Sequence, residues 1–160
     1  MKHNLALLKA EVRSELVKLQ LLEAEFDAAA GRVDLTSDTP IPNYDRSAVG
    51  YILHGFYNGC ENIFRTIAGF FENDLGSDSW HHDLLRRMLL EVEGYRPRVI
   101  DEPLFRVLDD FRAFRHKFRH SYGFELDWER ERLVVAKFKL AAEMLRLQVE
   151  TFLGELDVLE

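Results

Sequence analysis

The chain contains one cysteine, Cys60, among 160 residues. A disulfide framework is therefore excluded, and a lone thiol inside a helical pattern reads as an inert core residue suited to a reducing cytoplasm. Long apolar runs are missing too. No window approaches about eighteen uninterrupted apolar residues, and the N-terminal apolar positions are broken by Lys9, Glu11, Arg13 and Glu15, so neither a membrane span nor a signal peptide is visible. No stretch of useful length alternates with period two, and there is no internal repeat or low-complexity segment. Chemical motifs are equally scarce: no Ser or Cys nucleophile stands at readable spacing from a His and an acid, and no strand precedes the glycines as a phosphate-binding loop requires. The expectation is a soluble, cytoplasmic protein with no membrane association and no cofactor.

What the sequence does have is apolar mass. Its residues are 47% hydrophobic and twelve are Phe, enough for a packed core, and a chain of this length buries roughly two-thirds of its unfolded surface. One domain over residues 1–160 is expected. A formal charge of −7 argues against broad coating of nucleic acid, so any RNA contact should be local.

Apolar residues recur at three- and four-residue steps. Leu5, Leu8, Val12, Leu16, Leu19 and Phe26 predict a long first helix from Asn4 to Ala30, stopped by Gly31 and interrupted once, by Glu23. Leu7, Leu21 and Leu22 widen its apolar face, which can pack on its own bundle or on a second chain. Residues 32–46, with Pro40, Pro42 and Asn43, read as a loop, either lid-like or a mobile link. A second helix is expected from Ser47 or Ala48 to Phe71, with Ile52, Phe56, Cys60, Ile63, Ile67 and Phe70 inside; Gly50, Gly55, Gly59 and Gly69 within it suggest close backbone approach. After a loop at Asn73 to Ser79, a third helix is predicted over Trp80–Glu93, ended by Gly94 and Pro97. Asp101 is the expected N-cap of a fourth helix with Pro103 in its first turn. A fifth, capped by Asp127 and reaching Leu153, has two adjoining rows, Leu133, Leu140, Met144 and Leu147 beside Val134, Phe138, Ala141, Leu145 and Phe152; so broad a stripe should be central. The fold class is all-α, an antiparallel bundle of four or five helices whose core spans 47–160 behind an N-terminal helix over 1–31.

The fourth helix ends in Arg112-Ala-Phe-Arg-His-Lys-Phe-Arg-His120-Ser-Tyr-Gly123. Its nine residues 112 to 120 carry four Arg or Lys, two His and no acid, a positive field inside a negative protein and so a candidate anion site. At about 100° per residue, Leu104, Leu108, Phe111, Phe114 and Phe118 form one stripe. Arg115 falls on its edge and Tyr122 on nearly the same bearing, while His116, Arg119 and His120 fan towards the polar side. A guanidinium on a core-facing edge needs a buried carboxylate or a ligand, and Glu61 is the first candidate carboxylate. Gly123 should stop the helix with His120 in its last turn.

Arg115, four residues, His120, one residue, Tyr122 resembles the signature of HepT-type toxins, a branch of the HEPN superfamily of small helical proteins, and His116 fits the polar position after the Arg. The resemblance covers the chain from Asp45 onward. It implies an all-α homodimer with metal-independent RNase activity, using the Arg and His of both protomers in one cleft, and a partner nucleotidyltransferase antitoxin that places AMP on the Tyr, here Tyr122. The chemistry suits the residues: a histidine moves a proton at neutral pH and an arginine clamps phosphate oxygens, so His120 is expected in general acid/base work and Arg115 on the scissile phosphate, with His116, Arg119 and Arg112 in support. Attack of the 2′-hydroxyl would leave a 2′,3′-cyclic phosphate.

Three other readings stand beside it. Cations at a helix C-terminus complement its dipole, which accounts for Lys117 and Arg119 but not for Arg115. His116 and His120, four apart, form a candidate zinc set with His81 and His82, yet the surrounding cations oppose a dication and no metal is expected. The chain is otherwise an inactive HEPN-like binding, scaffold or antitoxin-side protein. His3 and His54 are expected at the surface and in the core, without a role.

Overall fold

The computed structural model describes residues 2–72, 80–122 and 126–159, and in them the chain is all-α. Five helices pack together: α1 (Lys2–Ala30), α2 (Asn43–Phe71), α3 (Trp80–Arg87), α4 (Glu102–Arg119) and α5 (Trp128–Leu156), followed by a 3-10 turn at Asp157–Leu159. The helix caps follow from the sequence. Asp101 accepts from Leu104 N at 3.0 Å with Pro103 in the first turn of α4, and Asp127 accepts from Glu129 N at 3.0 Å to start α5. The loop expected at 73–79 and the stop expected at Gly123 lie outside the described residues.

The central helix is α2, which packs against each of the other four. It can do so because it is narrow where its neighbours approach. A Cβ at Gly59 would collide with the Leu19 side chain, one at Gly55 would lie 3.3 Å from Leu22, and one at Gly50 would lie 2.7 Å from the Phe118 ring. Those three glycines let α1 and α4 close on α2. Gly69 has nothing within 4 Å, so its presence has no packing reason. Pairing of Leu19 with Gly59 and Leu22 with Gly55 makes α1 and α2 antiparallel. Four ion pairs, Lys9 with Asp157, Arg13 with Glu150, Arg146 with Glu23 and Lys139 with Asp27, lay α1 antiparallel along α5.

Several expectations are corrected. The second helix starts at Asn43, not at Ser47 or Ala48, because its first turn is anchored by Arg46, a buried cation that an apolar periodicity does not register. The preceding connection is pinned: Leu35 and Ile41 are buried and Trp128 Nε1 donates to Ser37 O at 2.8 Å. The third helix stops at Arg87, six residues early. Arg96 causes this by donating to the carbonyls of Arg87 at 3.0 Å and Leu90 at 2.8 Å while Glu72 accepts from its Nε at 2.9 Å. Gly94, at φ +82°, turns the chain between the bridged residues Val92 and Arg96. On α5, Leu133, Leu140 and Leu147 are exposed rather than inside. The buried row is Val135, Phe138, Ala142, Leu145, Val149 and Phe152, on a helix that packs against α1, α2 and α4. Phe70 of α2 is also exposed.

One buried pair ties the first turn of α2 to α5. Arg46 Nε lies 3.8 Å from Glu131 Oε2, and both side chains are nearly sealed from solvent. Neither oxygen of Glu131 finds a hydrogen-bond donor among the described residues. Burial therefore pushes the Glu131 carboxyl up to about 7, against the pull of Arg46. The folded state then holds a proton more tightly than the unfolded chain does, so this residue's contribution is complete in acid and declines between about 4.5 and about 7. The decline amounts to roughly 3 kcal/mol. Urea unfolding across that range should show a stability difference between Glu131→Gln and the wild type that changes steadily with pH; parallel curves would contradict it.

Candidate active site

The site begins with the faces of α4. Leu104, Leu108, Phe111 and Phe114 bury its apolar row, and Arg115, beside that row, is only 4% exposed. Its guanidinium points at α2 and α3. Nη1 donates to Glu61 Oε1 and, at 2.9 Å, to Asn58 Oδ1. Nη2 lies 3.1 Å from His81 Nδ1, which is itself 2.7 Å from Glu61 Oε2. The guanidinium carbon sits 4.8 Å from the centre of the buried Tyr57 ring, an electrostatically favourable face for a cation. Glu61, 3% exposed, is thus the carboxylate that meets Arg115. A planar guanidinium can engage Glu61, Asn58 and the Tyr57 ring at once, as a lysine could not.

The rest of the basic stretch turns outward. His116, Lys117, Arg119 and His120 are exposed, the rings of His116 and His120 lie 4.8 Å apart, and His120 caps the helix with its N–H on Lys117 O. Arg112 is held by Asp109 at 2.7 Å. Tyr122 is 71% exposed. The motif is therefore split: Arg115 faces the interior, and its other members face solvent. His81 is committed to Glu61, and the His82 ring packs 6.4 Å from Phe105. Neither joins His116 and His120, and the described residues contain no group of three or more side chains able to hold a metal. His3's side chain lies outside those described.

A residue the sequence left without a role joins the network. His54 packs in the seam between α2 and α4, its ring 5.6 Å from Phe118 and 6.4 Å from Tyr51, with Nε2 3.0 Å from Asn58 Nδ2. Arg115 has no acceptor to offer, so Asn58 must present its carbonyl to Arg115 and its amide to His54. It follows that His54 Nε2 is an unprotonated acceptor and the ring is neutral. Burial, then the positive charges of Arg115 and Arg119, lower its pKa in the same sense. The signal was available in the sequence: His54, Asn58 and Glu61 stand four and three residues apart, a polar edge along a glycine-rich helix.

His116, Arg119 and His120 present an exposed cationic face beside the buried Arg115. Two clefts, of about 550 and about 1220 Å³, open elsewhere, one beside Arg98 and Gln148 and one beside Leu8 and Tyr95. An open cationic face over a buried arginine suits a long anion better than an enclosed small molecule.

An α-helical bundle with an arginine, four residues, histidine, one residue, tyrosine motif at a helix end defines a HEPN-like class of protein. The family model described as HepT-like protein matches residues 48–156, and the chain belongs to that family. Neither a curated protein nor a solved structure matches it. The matched segment contains every residue of the network and omits α1.

Glu61 should be the least replaceable polar residue. Glu61→Ala leaves the Arg115 charge buried with its main partner gone, a change that costs about 3–5 kcal/mol, whereas Glu61→Leu combined with Arg115→Met removes both charges and should cost less. Chemical denaturation of the three proteins tests this ordering; a double variant weaker than Glu61→Ala would reverse it.

Proposed function

We propose that this chain is a metal-independent endoribonuclease acting as the toxin of a toxin–antitoxin pair. The observation that carries the reading is a buried, carboxylate-anchored Arg115 that reaches the surface through one exposed partner, Asn58, beneath a cationic helix end. Membership of the HepT-like family supports it.

In this reading an RNA phosphate oxygen replaces Asn58 Oδ1 on Arg115 Nη1 while Glu61 stays in place. Asn58 then leaves His54 as well, so one side-chain rotation uncovers the cation and the free electron pair of His54 Nε2 together. His54 takes the proton of the 2′-hydroxyl, the new bond forms between O2′ and phosphorus, and the bond from phosphorus to O5′ breaks. The leaving oxygen takes a proton from His120 in its charged form. The products are a 2′,3′-cyclic phosphate and a 5′-hydroxyl. Arg119, His116 and Arg112 hold flanking phosphates.

Purified protein should cut RNA in the presence of EDTA. Loss of either proton carrier should slow cleavage by about 10²–10⁴-fold, so His120→Ala and His54→Ala are expected to be severely impaired. Arg115→Lys keeps a charge but not the fork, and should be impaired as well. Unchanged rates in folded His120→Ala and Arg115→Lys proteins would remove the assignment, and RNA bound but uncut by the wild type would favour an inactive binding module.

Tyr122 is the proposed AMP acceptor for a partner nucleotidyltransferase. Its exposure gives access, and an added phosphate beside Arg119 and His120 would occupy the place of an RNA phosphate. Co-expression with such an enzyme should add AMP to the peptide containing Tyr122 and abolish cleavage. Equal neutralisation of Tyr122→Phe with no adduct on the chain would sink this part.

A further inference from the structure

The central helix α2 leaves little of itself in solvent. From residue 44 to residue 58 only Tyr44, Tyr51 and Asn58 are exposed. They stand seven apart, so they fall on one line along the helix, each about 10.5 Å from the next. Asn58 is the residue that bridges Arg115 and His54, and the line therefore runs through the candidate active site. The other two are tyrosines, 80% and 65% exposed, while Phe56 and Tyr57 of the same stretch are fully buried. Position 51 is also kept clear. On a helix surface its neighbours are Ser47, Ala48, His54 and Gly55. Three of these are too small to cover a ring, and the fourth is His54, whose ring lies 6.4 Å from that of Tyr51.

We infer that this line is the track of a single RNA strand and that Tyr51 is the platform for the base on the 5′ side of the cut, an assignment that rests on the endoribonuclease reading above. The order of the contacts fixes the polarity. Asn58 and Arg115 mark the place of the scissile phosphate, and His54, nearer the start of α2, meets the 2′-hydroxyl of the ribose that precedes it. The base hangs from the carbon next to that hydroxyl. It therefore comes within reach of the Tyr51 ring, since rings interact at about 4.5–7 Å between centres. Tyr44, two turns further back along the same line, receives a base farther upstream. The strand thus lies with its 5′ end towards the start of α2.

The substrate class follows. A base that stacks on Tyr51 must leave the stack of a duplex, so the RNA is unpaired at the cut. Tyr51 offers a ring face flanked by small side chains, not a pocket of donors and acceptors, so every base is accepted and the larger purine faces bind more strongly. Positive charge lies where the backbone passes: Arg119, exposed, is near enough to His54 to oppose its protonation. A protein partner fits the line less well. Between Tyr44 and Tyr51 the helix shows Ser47 and Ala48, both half-buried, so the two rings stand apart and form no continuous apolar patch.

Binding of a short single-stranded 2′-deoxy oligonucleotide to the full chain tests the platform without any cleavage. Tyr51→Ala should weaken binding about tenfold to a hundredfold, whereas Tyr51→Phe and Tyr51→Trp should stay near the wild type. Tyr95→Ala removes an equally exposed ring beside the larger cleft and should change nothing. Irradiation of the complex with 5-iodouracil in the strand should join it to Tyr51. In RNA, an abasic nucleotide just 5′ of the cut should slow cleavage as much as Tyr51→Ala does, with no further loss when the two are combined. A wild type that crosslinks through Tyr51 but cuts nothing would remove the ribonuclease and keep the stacking surface. Cleavage and binding undiminished by Tyr51→Ala, or adducts on other residues with none at Tyr51, would overturn the inference and leave the ribonuclease standing. Absence of binding by the wild type would overturn both.

Discussion

A positive charge buried on the edge of an apolar helix face is the constraint around which this molecule is arranged. Arg115 cannot lose its proton and has almost no access to water, so its neighbours must supply what the solvent no longer does. Glu61 supplies the countercharge, Asn58 an oxygen, and Tyr57 the face of its ring. All three come from one stretch of α2, and His81 reaches the same carboxylate from α3. Three helices are thereby held in one register by a single guanidinium. Hydrophobic packing alone would tolerate some sliding of α4 along α2; a fork of directed hydrogen bonds does not.

The same constraint reaches His54. Because Arg115 fixes which way Asn58 faces, it fixes the tautomer of a histidine that it does not touch. The glycine at position 50 matters here, since a side chain there would strike Phe118, whose ring forms one wall of the His54 seam. The basic helix end and the polar edge of α2 thus belong to one electrostatic unit, with its charged partner inside and its cations outside.

Helical periodicity in the sequence carried most of the fold, because Leu8, Val12, Leu16 and Leu19, or Leu104, Leu108 and Phe111, repeat with the period of the structure that buries them. The awkward bearing of Arg115 and the candidacy of Glu61 were legible for the same reason. Failures occurred where a buried polar residue did the organising. Arg46 extends α2 backward, and Arg96 ends α3 early by taking its terminal carbonyls; apolar counting is blind to both. The exposed row of α5 shows the converse limit, since Leu133, Leu140 and Leu147 match the period without being core. His54 has no legible role in the sequence because its partner, Asn58, gains meaning only where Arg115 crosses from α4.

The link from Arg115 through Asn58 to His54 is the central claim, and the ring nitrogens of His54 report on it directly. Nitrogen-15 spectra of the protein at neutral pH should show His54 neutral with its proton on Nδ1. Titration with a non-cleavable 2′-deoxy oligonucleotide should shift Nε2 as Asn58 leaves it, with the Arg115 side-chain signals moving over the same concentrations. A charged His54, the opposite tautomer, or binding of the oligonucleotide that leaves both residues unmoved would contradict the account.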